Sequence, residues 1–122
     1  MQPEKADSSF VWDMLTAARA VVQFVAGRTF EQYANDLLLR SAVERQIEII
    51  GEAARRISRQ FRDRHPQIPW QKIMGQRHVL AHDYGEIKHD RIWRVATVHV
   101  PELIAQLEPL VPATPPDREP AP

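Results

Sequence analysis

The chain has 122 residues, of which 43% are hydrophobic, with no cysteine and a formal net charge of zero. A chain of this length fits one domain around one core, and the lack of cysteine excludes disulfides, thiolate metal centres and cysteine nucleophiles, so reactive or ligating atoms must be oxygen or nitrogen. No apolar run approaches the roughly 18 residues of a membrane span, and the opening Met-Gln-Pro-Glu-Lys lacks the charged start and apolar block of a secretion signal, so a cytoplasmic protein without a membrane role is expected.

The neutral total conceals a segmented charge. Residues 1–52 carry five Lys/Arg and eight Asp/Glu, residues 53–99 carry ten and four, and residues 100–122 carry one and four. A basic middle between acidic flanks would attract phosphate and make binding salt-dependent, although an arginine-rich solvated helix face gives the same count.

Taken in order, the pattern predicts an all-α fold: an up-and-down bundle of four main helices over residues 1–110 and a proline-rich, disordered tail over 111–122. The first helix spans residues 8–26, capped by Asp7 or Ser8, with Val11, Leu15, Ala18, Val22 and Val25 on its inner stripe and a stop near Gly27. Thr29 and Gln32 have capping-box spacing and should open a second, long helix. Val43, Ile47, Ile50, Ala54, Ile57 and Phe61 recur along it in steps of four and three, a seam for lengthwise packing. Arg40 with Glu44 and Glu52 with Arg56 are spaced for surface ion pairs. Pro66 and Pro69 break the chain over residues 62–69, and a third helix follows from Pro69 to Tyr84, ended by Gly85. Asp90 should cap a fourth helix whose stripe is Ile92, Ala96, Val100, Leu103, Leu107 and Leu110, kinked at Pro101 without ending there.

The third helix concentrates the chemistry. Arg77, His78, His82, Asp83 and Tyr84 fall within two turns at its C-terminal end, and Arg77 lies in line with the apolar Trp70, Ile73, Met74 and Ala81. A guanidinium on such a face needs an acidic partner, for which Glu48 and Glu52 are candidates, or a cleft to point into. Three readings of the stretch stay open on the residues alone. His78 and His82, four apart, could share a metal, but two ligands do not complete a zinc site and no glutamate lies between them in the metalloprotease pattern. Histidine and tyrosine at a helix end are also ordinary cap and packing residues. The third reading is metal-independent phosphodiester chemistry on RNA: a histidine that titrates near neutrality can move the 2′-hydroxyl or 5′-oxygen proton, and an arginine can bind the phosphoryl oxygens with two hydrogen bonds.

Arg77, His82 and Tyr84 form Arg-x4-His-x-Tyr, and residues 8–110 resemble the HepT-like toxins of the HEPN superfamily of helical ribonucleases. The likeness runs through Phe24 to Phe30, Ala42 to Arg45, Ile50 to Ala54, Pro66 to Trp70, Gly75 to Tyr84, Ile92-Trp93 and Pro101 to Leu103. It implies an endoribonuclease toxin in which Arg77 and His82 cleave RNA at a homodimer cleft, with no cofactor and no metal. It also implies a partner, a minimal nucleotidyltransferase antitoxin that transfers AMP to Tyr84. His78 stands where the family commonly has asparagine or another polar residue, and His78 and Asp83 are candidates for assisting roles. Glu52 is a candidate for orienting Arg77, with an ion pair to Arg55 or Arg56 as the alternative. The rival to the nuclease is a non-catalytic helical module that docks on a nucleotidyltransferase and presents substrate or nucleotide to it.

Overall fold

The computed structural model describes residues 3–75 and 89–111, with side chains from residue 6 onward. All regular structure among these residues is helical. No helix among them is long and apolar enough to cross a membrane. The tail from residue 112, the far part of the third helix and its Gly85 stop lie outside the described residues.

Helix α1 runs Pro3–Val25, starting earlier than the sequence suggests, with a proline in the first turn where its missing N–H costs nothing. Val11, Leu15 and Ala18 are fully buried as expected, but Met14, Ala17 and Val21 are buried too. The stripe is wider than one seam because α1 packs against two neighbours, α3 (Leu37–Arg56) on one side and α7 (Val100–Leu107) on the other. Gly27, at φ +72°, ends α1 in the left-handed conformation that glycine adopts without a Cβ clash.

The capping box at Thr29 is present, with the Thr29 hydroxyl accepting from the Gln32 N–H and the Gln32 side chain accepting from the Thr29 N–H. The helix it opens is nevertheless short: α2 covers only Phe30–Ala34. The break follows from Asn35 and Asp36, short polar side chains that compete for backbone groups. Asn35 donates its amide to the Glu31 carbonyl, and Asp36 caps the new helix α3 by accepting from the Leu39 N–H at 3.0 Å. Arg40, expected to pair with Glu44 along the surface, instead donates to the Ala34 carbonyl at the end of α2. This corner turns Tyr33 inward, with its ring 5.2 Å from that of Trp93.

The seam of α3 is as expected from Val43 to Ala54, all buried. Helix α3 ends at Arg56, however, and Ile57 is extended. Ser58 then caps α4, Arg59–Arg64, by accepting from the Phe61 N–H, so the long helix breaks at 57–58, earlier than expected, and helix resumes up to Arg64. Asp7 explains the geometry. It does not cap α1, because α1 begins before it; its buried carboxylate accepts from the Ser58 N–H at 2.8 Å and the Ser58 hydroxyl at 2.7 Å. This contact ties the start of α1 to the end of α3 and fixes the two as an antiparallel pair.

Helix α5 starts at Trp70 and is described over residues 70–75, with the Pro69 carbonyl accepting from the Ile73 N–H at 3.0 Å. Trp70 is buried and donates its indole N–H to the His65 carbonyl at 3.0 Å.

The last helical run is α6, His89–Arg94, a π-helical turn over Val95–His99, then α7 and a short 3-10 turn over Glu108–Leu110. Asp90 sits in the first turn of α6, not ahead of it. Pro101 explains the π turn. A proline ring crowds the carbonyl four residues back and offers no N–H, and the wider turn removes that clash without stopping the helix. The Val100 N–H accordingly reaches back five residues to the Val95 carbonyl. The Thr97 hydroxyl donates to the Trp93 carbonyl at 2.8 Å. Ile92, Ala96, Val100, Leu103 and Leu107 all stay in the core.

Since each hydrogen bond to a charged group contributes about 1.5–3 kcal/mol, Asp7→Ala should destabilise the fold by about 2–4 kcal/mol after partial rehydration of Ser58. Thermal unfolding checks this; an unchanged Tm would show that the α1–α3 pair does not depend on the contact.

Candidate active site

Arg77, His78, His82, Asp83 and Tyr84 lie outside the described residues, and the description resumes at His89. The described structure therefore supplies the two ends that carry the segment: α5 up to Gly75, and α6 from His89.

Between α3, the start of α5 and the π turn with α7 lies a cleft of about 410 Å³. Its floor is apolar, from Ile47, Ile50, Ile73 and Leu103, and its edge carries Lys72 and His99. The His99 Nδ1 is 3.9 Å from the Glu102 carboxylate, and both side chains are more than half exposed.

Glu52 is half-buried and faces elsewhere. It lines a shallow groove toward α1 with Phe10, Asp13, Gln46, Ile49 and Arg56. Two residues beyond Ile50, it stands about 200° round the helix from it, since each residue turns the helix by about 100°. Ile50 faces the cleft beside Pro69 and Ile73. Arg56, one of the alternative partners for Glu52, shares its groove.

A second group of polar side chains was not legible in the sequence. Tyr33 is fully buried, and its hydroxyl has no hydrogen-bond partner among the described residues; the same is true of the His89 Nδ1. Burial, reinforced by the Glu44 carboxylate and opposed by Arg40, pushes the Tyr33 phenol far above its ordinary range, so it stays protonated at any physiological pH. Burial also raises the Glu44 carboxyl above its ordinary value; His89 and Arg40 oppose the shift and Glu48 adds to it. Tyr33, Arg40, Glu44 and His89 thus share one electrostatic neighbourhood at the start of α6. Only contacts between α2, α3 and α6 assemble it, and no short-range spacing announces it. Among the described residues no group of three or more histidine, aspartate or glutamate side chains is placed to hold a metal ion.

Residues 14–110 match the family model described as HepT-like, ribonuclease HepT-like. The chain belongs to this HepT-like family. The matched span includes every position from Arg77 to Tyr84. A Methanocaldococcus jannaschii protein named "Putative RNase" is 34% identical over 82% of this chain and 92% of its own length. One from Caldanaerobacter subterraneus, with the same descriptor, is 31% identical over 88% of this chain and 96% of its own length. A Thermococcus cleftensis protein named "Probable ribonuclease HepT" is 29% identical over 88% and 97%. No solved structure matches the chain.

The raised Glu44 carboxyl gives a signed expectation for this HepT-like chain. A carboxyl whose folded pKa lies above its unfolded one binds more protons when folded, so its ionisation costs stability as pH rises through that interval. Glu44→Gln abolishes this titration. The stability of the parent relative to the variant should therefore increase as pH is lowered from 7 towards the ordinary glutamate value of 4.5. Urea unfolding of both proteins across that range measures it, and a difference that does not vary with pH would contradict the assignment.

Proposed function

We propose that this chain is the toxin of a type II or type VII-like toxin–antitoxin pair and acts as a metal-independent endoribonuclease. Membership of the HepT-like ribonuclease family over residues 14–110 carries the reading. The Arg-x4-His-x-Tyr spacing of Arg77, His82 and Tyr84 and the excess of cations in residues 53–99 support it.

In the proposed reaction His82 accepts the proton of the RNA 2′-hydroxyl as that oxygen attacks the adjacent phosphorus. Arg77 donates two hydrogen bonds to the non-bridging oxygens, which gain charge as the 2′-oxygen bonds to phosphorus. The leaving 5′-oxygen takes a proton from a second imidazole, His82 of another copy across a twofold axis, and the products are a 2′,3′-cyclic phosphate and a 5′-hydroxyl. His78 and Asp83 stand beside these groups in the chain as assisting candidates. Glu52 keeps its candidacy for orienting Arg77 only if it acts from the α1-facing side of α3. The proposed antitoxin is a minimal nucleotidyltransferase that moves AMP from ATP to the Tyr84 hydroxyl, releasing pyrophosphate. A phosphodiester at Tyr84 would bring bulk and negative charge to the place where RNA phosphate must sit.

A second reading, a non-catalytic module that docks on a nucleotidyltransferase, draws on Leu37 and Leu38, which are 70% and 80% exposed at the start of α3. RNA incubated with the purified protein in chelator separates the two. Cleavage to a 2′,3′-cyclic phosphate supports the nuclease, and intact RNA with tight partner binding supports the module.

Arg77→Ala and His82→Ala should each lower cleavage by about 100-fold or more, the usual scale for a lost acid–base or oxyanion group, and relieve growth arrest on expression. Two variants as toxic as the parent would overturn the assignment. Coexpression with the nucleotidyltransferase should add one or more AMP increments to the intact mass of the parent and none to Tyr84→Phe.

A further inference from the structure

The cations of the basic middle are not spread evenly over the surface. Residues 55–72 hold six Lys/Arg and a single carboxylate, Asp63. The fold gathers three of them around one open groove of about 860 Å³ along α4 and the start of α5, where Arg59, Arg62 and Lys72 line the wall with Pro66, Trp70 and a single carboxylate, Asp63. Arg59 keeps an 87% exposed side chain and reaches Asp63 only at 3.9 Å, too loose and too wet to neutralise it. Lys72 is exposed. Arg62 is held differently: its guanidinium lies 3.3 Å from the Met74 sulfur and is half-buried, so it presents its charge with less rotamer freedom to lose on binding.

We propose that this groove is an exosite for the phosphate backbone of single-stranded RNA, built from residues outside the Arg77 to Tyr84 stretch; the inference rests on the nuclease reading for its role and deepens it. The wall offers cations but no exposed aromatic face, because Trp70 is 7% exposed and its indole N–H is occupied by the His65 carbonyl. Bases therefore have nothing to stack on, and the groove reads charge and not sequence. Arg59 and Arg62, three apart on α4, sit on adjacent turns, and Lys72 faces them from α5, so one strand can meet all three. Lys72 precedes Arg77 by five residues, which limits their separation to about 18 Å even for fully extended chain, a reach of a few nucleotides. Held there, an RNA strand would stay on the enzyme while its neighbouring phosphate is positioned for cleavage.

The test uses a fluorescent 2′-O-methyl RNA of about 12 nucleotides, within the usual range of single-strand site sizes, which lacks the nucleophilic hydroxyl and cannot be cut. Anisotropy titrations at several salt concentrations compare the parent with Arg59→Gln/Lys72→Gln, Arg59→Lys and Arg19→Gln. Arg19 pairs with Glu108 on another face and serves as a charge control. The double variant should bind at least tenfold more weakly, and the slope of log K against log salt should fall by about 1.4, or 0.7 for each lost phosphate contact. Arg59→Lys and Arg19→Gln should keep the parent's slope. Equal thermal unfolding of parent and double variant attributes the loss to the groove. If the double variant keeps the parent's affinity and slope, or the parent fails to bind this RNA, the exosite is overturned, and loss of capture by an acidic nucleotidyltransferase would make the groove a protein site instead. Because the probe is uncleavable, a parent that binds with the expected slope yet cuts no natural RNA leaves the exosite standing and removes the nuclease reading alone.

Discussion

The antiparallel pairing of α1 with α3 is the constraint on which the other elements depend. Helix α1 is buried on two sides, so α3 and α7 cannot be placed independently of it, and their inner stripes meet across it. Asp7 locks one end of the pair by bonding to Ser58 where α3 gives way to α4. At the other end the short α2 forms a corner that drives Tyr33 against Trp93 and so fixes α6. A buried carboxylate is costly unless its oxygens are satisfied, and here two donors from one residue satisfy them. The direction in which α4 and α5 leave the bundle follows from that contact.

Apolar periodicity made the bundle legible. The stripes through Val43, Ile47, Ile50 and Ala54 and through Ile92, Ala96, Val100, Leu103 and Leu107 are buried as their spacing requires. Boundaries were less legible because they are set by polar side chains that can serve more than one backbone. Asp7 reads as a local cap but bonds a residue 51 positions away. Asn35 and Asp36 fall inside an unbroken helical pattern, and local hydrogen bonds to Glu31 and Leu39 decide that the helix divides there. Pro101 signalled a distortion correctly, but its form, a widened turn one step upstream, depends on the ring clash being relieved without losing the apolar stripe.

The candidate site divides in the same way. Arg77, His82 and Tyr84 stand out because their spacing is local and their residue types are chemically uncommon together. The Tyr33, Glu44 and His89 neighbourhood is silent in the sequence, since a tyrosine on a five-residue helix, a glutamate in a charged face and a lone histidine become related only after α2, α3 and α6 pack. Glu52 shows the converse. Its place in the Ile-Gly-Glu-Ala-Ala stretch invites a role beside Arg77; helical rotation sets Glu52 on the α1 side of α3, away from Ile50 and the cleft, while Arg77 lies outside the described residues.

A formally neutral chain can still suit a polyanionic substrate when its fold keeps opposite charges apart. On α3 the carboxylates Glu44 and Glu48 are half-buried, with Arg45 3.4 Å from Glu48, so part of the acidic charge is spent within the bundle. Arg59 and Arg62 of α4 line an open groove in which Asp63 is the one carboxylate. Coulombic attraction between exposed charges fades over about 8 Å at physiological salt, so a phosphate in that groove responds to Arg59, Arg62 and Lys72 far more than to the acidic flanks. Local charge, set by where Ser58 starts α4, therefore governs what this surface attracts.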